Sequence, residues 1–397
     1  MNTIHVISPF HSRLLKEKWS HCAFTQIALK QIQIFKMLGY HVIDYSNWGS
    51  ESVADEHVEI LSKDEFLNSF LDDGRPAHGN ADIGSPQWQL WNKRLLEAFN
   101  RRMTNRQKAG KKGAGNGVEF VAHTFGSSAE ALLQLLPDAI HFESHIGYDR
   151  PGFGPKRVFV SEAWRNYLWG KYGSEAGDHR YSWVVHPYYD VNDWPPMLSQ
   201  PYKDGPVSYL GRMTADKGLS TVVDIAARMP HLTFELAGSG MSQSDFQTSY
   251  KPTNNVIFLG EIPGSERATF YGRSSVLLVP SEYMEPCAGV VCEAALCGTP
   301  SVASSWGGFK ETIIEGMTGY TAATLSDWIH GVELASLLLR KVVMANARAR
   351  FKLEAAAVKY DQILETLMRQ KRLGWYDYES LKPLGTSDEL YHMGLGE

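Results

Sequence analysis

SEYMEPCAGVVCEAALCGTPSVASSWGGFKETIIEGMTGY, residues 281–320, decides how this chain is read. Just before it, Val276-Leu277-Leu278-Val279 is a short apolar run of the kind buried in parallel sheets. Glu285 falls in the loop that follows. Pro286 suits a helix start, Ala294-Ala295-Leu296 continue the helix, and Gly298-Thr299-Pro300 end it. Ser301-Val302-Ala303-Ser304 is the next strand and Gly307-Gly308 a turn. The expected order is strand, loop, helix, strand, Gly-rich loop, with Glu285 at a strand's carboxyl end and Glu293 about two helical turns on. Ligands of open α/β sheets sit at that edge. A helix N-terminus there offers N–H groups and positive potential to an anion such as a diphosphate. A glutamate on the helix can grip sugar or ribose hydroxyls with both carboxylate oxygens. The plain alternative is two solvated helix charges.

The stretch closely resembles the retaining GT-B glycosyltransferases of family 4, with their E-x7-E motif. The likeness rests on Pro280-Ser281, Glu285 and Glu293, Glu293-Ala294-Ala295, Cys297-Gly298-Thr299-Pro300, and Gly307-Gly308 with Glu311. Cys287-Ala288-Gly289 stands where the family usually has Phe-Gly-Leu, and Lys310 where it usually has Pro. The likeness continues upstream. Val207-Ser208-Tyr209-Leu210 leads into Gly211-Arg212-Met213-Thr214-Ala215-Asp216-Lys217-Gly218, where Arg212 and Lys217 match the family's diphosphate-binding pair. Two cations beside a Gly-rich turn neutralise a leaving diphosphate, and Gly211 lets the backbone come close. Ala237-Gly238-Ser239-Gly240 resembles the nucleotide-side turn, and Gly260-Glu261 after Val256–Leu259 the loop flanking the base.

The rest of the chain fits a larger frame. Its 397 residues suit two domains. With 43% hydrophobic and 21% charged residues the composition is globular. A net charge of −5 gives no global nucleic-acid signature. Cys22, Cys287, Cys292 and Cys297 lack zinc-site spacing, which suggests a reduced, cytoplasmic setting. Neither a signal peptide nor a run of 18 apolar residues is visible.

Ile4–Ile7, Ala23 to Leu38 and His41–Ile43 read as an opening βαβ unit, with Ser20 a candidate cap and Gly39 the helix end. Ser8-Pro9-Phe10-His11 replaces the Gly-rich loop usual in the family. Residues 49 to 85 read as polar and irregular. A helix from Trp88 to about Lys108 buries Trp88, Trp91, Leu95 and Phe99. Its basic stripe, Arg94, Arg101 and Lys108, followed by Lys111 and Lys112, is either a solvated face or a contact for an anionic lipid surface or nucleic-acid backbone. Ser127 to Leu136 reads as a helix, and Ala139–Phe142 as a strand entering Glu143-Ser144-His145. The family has a histidine at such a strand end that reaches the donor sugar. His145 is the first choice for it and His123 the second. Val184–Asp190 resembles the linker strand entering the second domain, and Pro195 to Pro206 reads as the hinge.

The expectation is an α/β protein of GT-B type, with two Rossmann-like doubly wound domains facing a cleft. Residues 1–195 form the acceptor side, 196–370 the donor side, and 371–397 a tail. The resemblance implies a retaining hexosyltransferase that uses a nucleotide-diphosphate sugar such as UDP-glucose or GDP-mannose, with no metal. The acceptor, whether glycan, lipid or nucleic acid, stays open. Arg212 and Lys217 would stabilise the departing diphosphate, and Glu293 would hold the ribose. Glu285 and His145 would position the sugar. Gly211, Gly238, Glu261 and the Cys287-Ala288-Gly289-Val290 backbone would bind the donor. A nucleotide-sugar epimerase or a non-catalytic binding relative are the alternatives.

Overall fold

The computed structural model describes residues 1–15, 22–71, 76–78, 82–108, 117–149, 156–173, 181–196 and 204–373. Ser20, Lys111, Lys112, most of the expected hinge, the side chain of Lys108 and the tail from 374 lie outside the described residues.

Two fully parallel sheets form the frame. The first holds β1 (Thr3–Ile7), β2 (His41–Ser46), β3 (Glu56–Glu59), β4 (Glu119–His123), β5 (Ile140–Ile146), β6 (Arg157–Phe159) and β7 (Ser182–Val184), in the order β3-β2-β1-β4-β5-β6-β7. The second holds β8 (Val207–Leu210), β9 (Phe234–Ala237), β10 (Val256–Gly260), β11 (Val276–Val279), β12 (Ser301–Ser304) and β13 (Gly319–Ala322), in the order β10-β9-β8-β11-β12-β13. Strand order reverses at β1/β4 and at β8/β11. Each domain therefore has a crevice at the carboxyl ends of those two strands.

Helices cover both faces. In the first domain these are α1 (Ala23–Met37), α2 (Lys63–Ser69), α3 (Pro86–Lys108), α4 (Leu132–Leu135) and α5 (Glu162–Tyr172). In the second they are α6 (Leu219–Arg228), α7 (Gln243–Tyr250), α8 (Arg267–Arg273), α9 (Gly289–Leu296), α10 (Phe309–Thr312), α11 (Leu325–Ala335) and α12 (Arg340–Phe351), and α13 (Leu353–Leu373) closes the fold. Alternation along the strands sorts the side chains between the two faces. Val6, Val42 and Phe120 pack on Phe35 of α1 and on Tyr360 and Leu364 of α13. Ile7, Ile43 and Val121 point the other way, into Trp91, Leu95 and Phe99 of α3. In the second domain Tyr209, Leu236 and Leu278 meet α6 and α11, while Leu277 and Val279 meet α8 and α9.

Several expectations change. Residues 49–85 contain β3 and α2, and α2 starts at a capping box made by Ser62 and Glu65. The S-x-x-E signal was in the sequence and marks a helix start. The helix expected over Ser127–Leu136 is split into a 3-10 turn at Gly126–Ala129 and the single turn of α4. Short i→i+3 bonds, Ser128 N–H to Phe125 and Leu133 N–H to Glu130, replace the α pattern there. β7 pairs with β6 and so completes the first sheet before the chain leaves it. The last helix, counted with the second domain in sequence, lies in the core of the first.

Candidate active site between the domains

The chain around Glu285 is shaped by its neighbours. α9 begins at Gly289, not at Pro286. Residues before it stay extended because Pro286 is held from both sides. Its carbonyl accepts from the Ser161 hydroxyl of the first domain. A Cβ on Gly308 would lie 2.4 Å from the same oxygen. Glu293 is thus about one turn into the helix rather than two. The shorter lead places the α9 N-terminus directly after Cys287 and Ala288, where its positive end faces the loop.

The second-domain crevice brings Lys217 and Glu285 together. Lys217 Nζ donates to Glu285 Oε2 at 2.9 Å and to the Tyr283 hydroxyl at 2.7 Å. Ser281 Oγ donates to the same glutamate oxygen at 2.9 Å. Lys217 belongs to the turn after β8 and Glu285 to the loop after β11, so this cluster spans the point where strand order reverses. Arg212 sits on the same turn, two-thirds exposed and 3.9 Å from Asp216. Burial raises the Tyr283 hydroxyl above its ordinary range, as does Glu285, while Arg212 pulls it back. The turn is tight for a steric reason. Gly218 has φ 75°, and a Cβ there would lie 1.9 Å from the Pro280 carbonyl oxygen. Gly238, with φ 153°, packs as closely on the Gly211 carbonyl. Glu261 is exposed just beyond Gly260, whose carbonyl accepts from Gly238 N–H.

Beside this cluster a cavity of about 340 Å³ opens between the domains. Lys30 of α1 and His145 line it from the first domain, and Cys287, Gly289, Arg267 and Glu293 from the second. Arg212, Lys217 and Glu285 are not part of that wall. Glu293 accepts from the Tyr271 hydroxyl at 2.9 Å and lies 3.7 Å from Arg267. Gly289 packs closely on Tyr189: its carbonyl accepts from the Tyr189 hydroxyl, and a Cβ would lie 3.0 Å from that hydroxyl oxygen. Ala288 is buried and Val290 half-buried at the edge of α9.

His145 stands at a register shift between β5 and β6, with φ 56°. Its ring packs edge-on to Tyr188, and Nδ1 has no hydrogen-bond partner among the described residues. Burial and then the charge of Lys30 push its pKa down to about 3, so the ring is neutral near pH 7. His123 does not reach the cavity. It is buried with Nε2 3.1 Å from His141 Nδ1, which corrects its second-choice role. A strand residue facing into the sheet's packed side has no route to the cleft.

On the basic stripe, Arg94 has acidic partners. Arg94 donates to Glu65 at 2.8 Å and to Glu97 at 2.9 Å. Its helix, α3, covers the sheet face opposite α1, and it is α1 that lines the cavity. Arg94 and Arg101 are therefore not part of the cavity wall. Sequence reading missed Tyr283 and gave Ser281 no role beyond its place in the motif, although both flank Glu285 closely. It also missed Lys30, Tyr271 and Arg267, which carry no motif and reach the site only through folding. Among the described residues no group of three or more His, Cys, Asp or Glu is arranged to hold a metal ion. No helix there is long and apolar enough to cross a membrane.

Comparison with known proteins bears on the fold and on the second domain. Residues 206–333 match the family model described as glycosyl transferases group 1. The chain resembles the sucrose-phosphate synthase of Thermosynechococcus elongatus, with a TM-score of 0.65 at 18% identity over 93% of this chain and 100% of that one. The fold is GT-B. Another GT-B structure, Anabaena HepE in complex with UDP-glucose, gives a TM-score of 0.58 at 16% identity over 93% of this chain and 100% of that one. By sequence, glycogen synthase of Mycobacterium tuberculosis (strain CDC 1551 / Oshkosh) is 31% identical over 149 residues. That match spans 35% of this chain and only 36% of the relative's length.

Proposed function

We propose that this GT-B protein is a retaining, family 4 glycosyltransferase that moves a hexose from a nucleotide-diphosphate sugar to an acceptor hydroxyl. The observation that carries this reading is the Lys217–Glu285 contact across the second domain's crevice, 2.9 Å long. It sets a cation for phosphate beside a carboxylate for sugar hydroxyls, next to a helix N-terminus. The group 1 family match over this same domain and the UDP-glucose bound by HepE support it.

In this reading the donor diphosphate draws Lys217 away from Glu285, and Arg212 joins it on the developing negative charge. The freed Glu285 carboxylate and the neutral ring of His145 hold the sugar. Glu293 takes the ribose hydroxyls, with Tyr271 and Arg267 fixing its carboxylate. Gly211, Gly238, Glu261 and the Cys287–Val290 backbone complete the donor site. The acceptor hydroxyl attacks on the face the diphosphate leaves, and a phosphate oxygen receives its proton. No protein nucleophile is needed, in contrast to a two-carboxylate glycosidase. The chemistry asks for no metal ion, and the cations of the site supply the charge.

The test incubates the isolated protein with labelled UDP-glucose or GDP-mannose and glycan, lipid and nucleic-acid acceptors, with and without chelator. We expect transfer, or slow donor hydrolysis, in both conditions. Arg212→Ala and Lys217→Ala should each lower turnover by about a hundredfold or more. Near-wild-type rates in both variants would overturn the phosphate site.

A further inference from the structure

Glu311 is not used by the chemistry above, yet its carboxylate makes three polar contacts with the first domain. It lies on α10, directly after Gly307-Gly308. Its carboxylate accepts from the N–H groups of Glu162 at 2.8 Å and Ala163 at 2.7 Å, the first two residues of α5 in the other domain. The same carboxylate meets His186 Nε2 at 3.0 Å. Ser161, the N-cap of α5, bonds across to Pro286. A carboxylate on a helix N-terminus gains from both the N–H groups and the dipole. Burial pushes the Glu311 carboxyl up, but His186 and the two N–H groups outweigh it, so the group is held below its ordinary range.

The α10 end of this contact is rigidly joined to the Glu285 loop. Gly308 N–H donates to the Glu285 carbonyl at 2.9 Å. A Cβ on Gly307 would lie 2.6 Å from that carbonyl oxygen. Only glycine fits at both positions, and the Gly308 hydrogen bond couples α10 to the Glu285 loop.

Resting on the glycosyltransferase reading, we propose that Glu311 is a positioning residue: it latches the first domain's α5 and His186 onto the segment that carries Glu285, so domain closure and sugar positioning are set together. Donor binding to the second domain does not need the latch. Turnover does, because His145 comes from the first domain and Glu285 from the second.

The test compares wild type with Glu311→Ala and Glu311→Gln. Measurements are small-angle scattering, hydrogen exchange at the Glu162 and Ala163 amides, UDP affinity, and steady-state kinetics with UDP-glucose. In Glu311→Ala we expect a larger radius of gyration and at least about tenfold faster exchange at those amides, from the loss of charge-assisted bonds. UDP affinity should stay within about twofold while kcat falls at least about tenfold. Glu311→Gln keeps one acceptor oxygen and should fall between. If Glu311→Ala does not fold, Glu311→Gln and His186→Asn carry the same comparison. Unchanged exchange and scattering would overturn the latch, and so would UDP affinity falling in step with kcat. If no donor is turned over by wild type, the glycosyltransferase reading fails, while exchange and scattering still decide the latch.

Discussion

His145 and His123 show how one residue type is put to two uses by burial. Both are held neutral, His145 by desolvation and then Lys30, His123 by desolvation and then His141. Their folded pKa values are depressed below the roughly 6.5 of an unfolded histidine. Below that pH the unfolded chain takes up protons that the folded chain refuses, so stability is complete above about pH 6.5 and falls as pH drops toward about 3. Each group contributes a slope of about 1.4 kcal/mol per pH unit while it titrates only in the unfolded state. Denaturant unfolding between pH 7 and 4 should show this loss, and His123→Asn should remove about one proton from the slope. An unchanged slope would place the acid sensitivity elsewhere. The left-handed backbone of His145 was invisible in sequence, since a non-glycine adopts it only when its surroundings force it. Its place near the end of β5 was legible, because the strand expected over Ala139–Phe142 runs into the polar Glu143-Ser144-His145.

At the level of elements, the turn from β8 into α6 is tightly constrained. Gly218→Ala adds a Cβ at φ 75° that would sit 1.9 Å from the Pro280 carbonyl. The change should cost at least about 2 kcal/mol and shift Lys217 away from Glu285. Thermal unfolding and UDP affinity should both fall, and a variant with wild-type values for both would refute the close approach. The helix α3 teaches the opposite lesson. Its apolar face was read from period alone, with Trp91, Leu95 and Phe99 buried and Trp88 only partly so. The acidic partner of Arg94 was not legible, because Glu65 comes from a different helix. Arg94→Ala together with Arg101→Ala should leave acceptor kinetics and their salt dependence unchanged. A flatter salt dependence in that variant would restore an anionic contact on α3.

On the scale of the whole molecule, α13 ties the two ends of the chain together. Tyr360, Ile363, Leu364 and Leu367 are buried in the first domain's core, each worth about 1.5–3 kcal/mol. Their sum is comparable with the net stability of a domain, about 5–15 kcal/mol. A chain ending at Lys352 should therefore lose cooperative unfolding of its first domain, measurable by near-ultraviolet circular dichroism. A truncated protein that melts like the full chain would show the first domain to be self-sufficient. While the family resemblance added the GT-B frame and the Arg212 and Lys217 pair, the local patterns of the sequence determined an α/β chain of two domains and the strand–loop–helix–strand unit around Glu285. Those features rest on short apolar runs and on glycines and prolines at fixed offsets, whose conformational limits act within a few residues. Only the tertiary structure decided that α9 starts at Gly289, that His145 and not His123 faces the cavity, and that Glu311 joins the domains. Each of these depends on which atoms meet across about a hundred or more residues of chain, and loop closure over such distances leaves no mark in local composition.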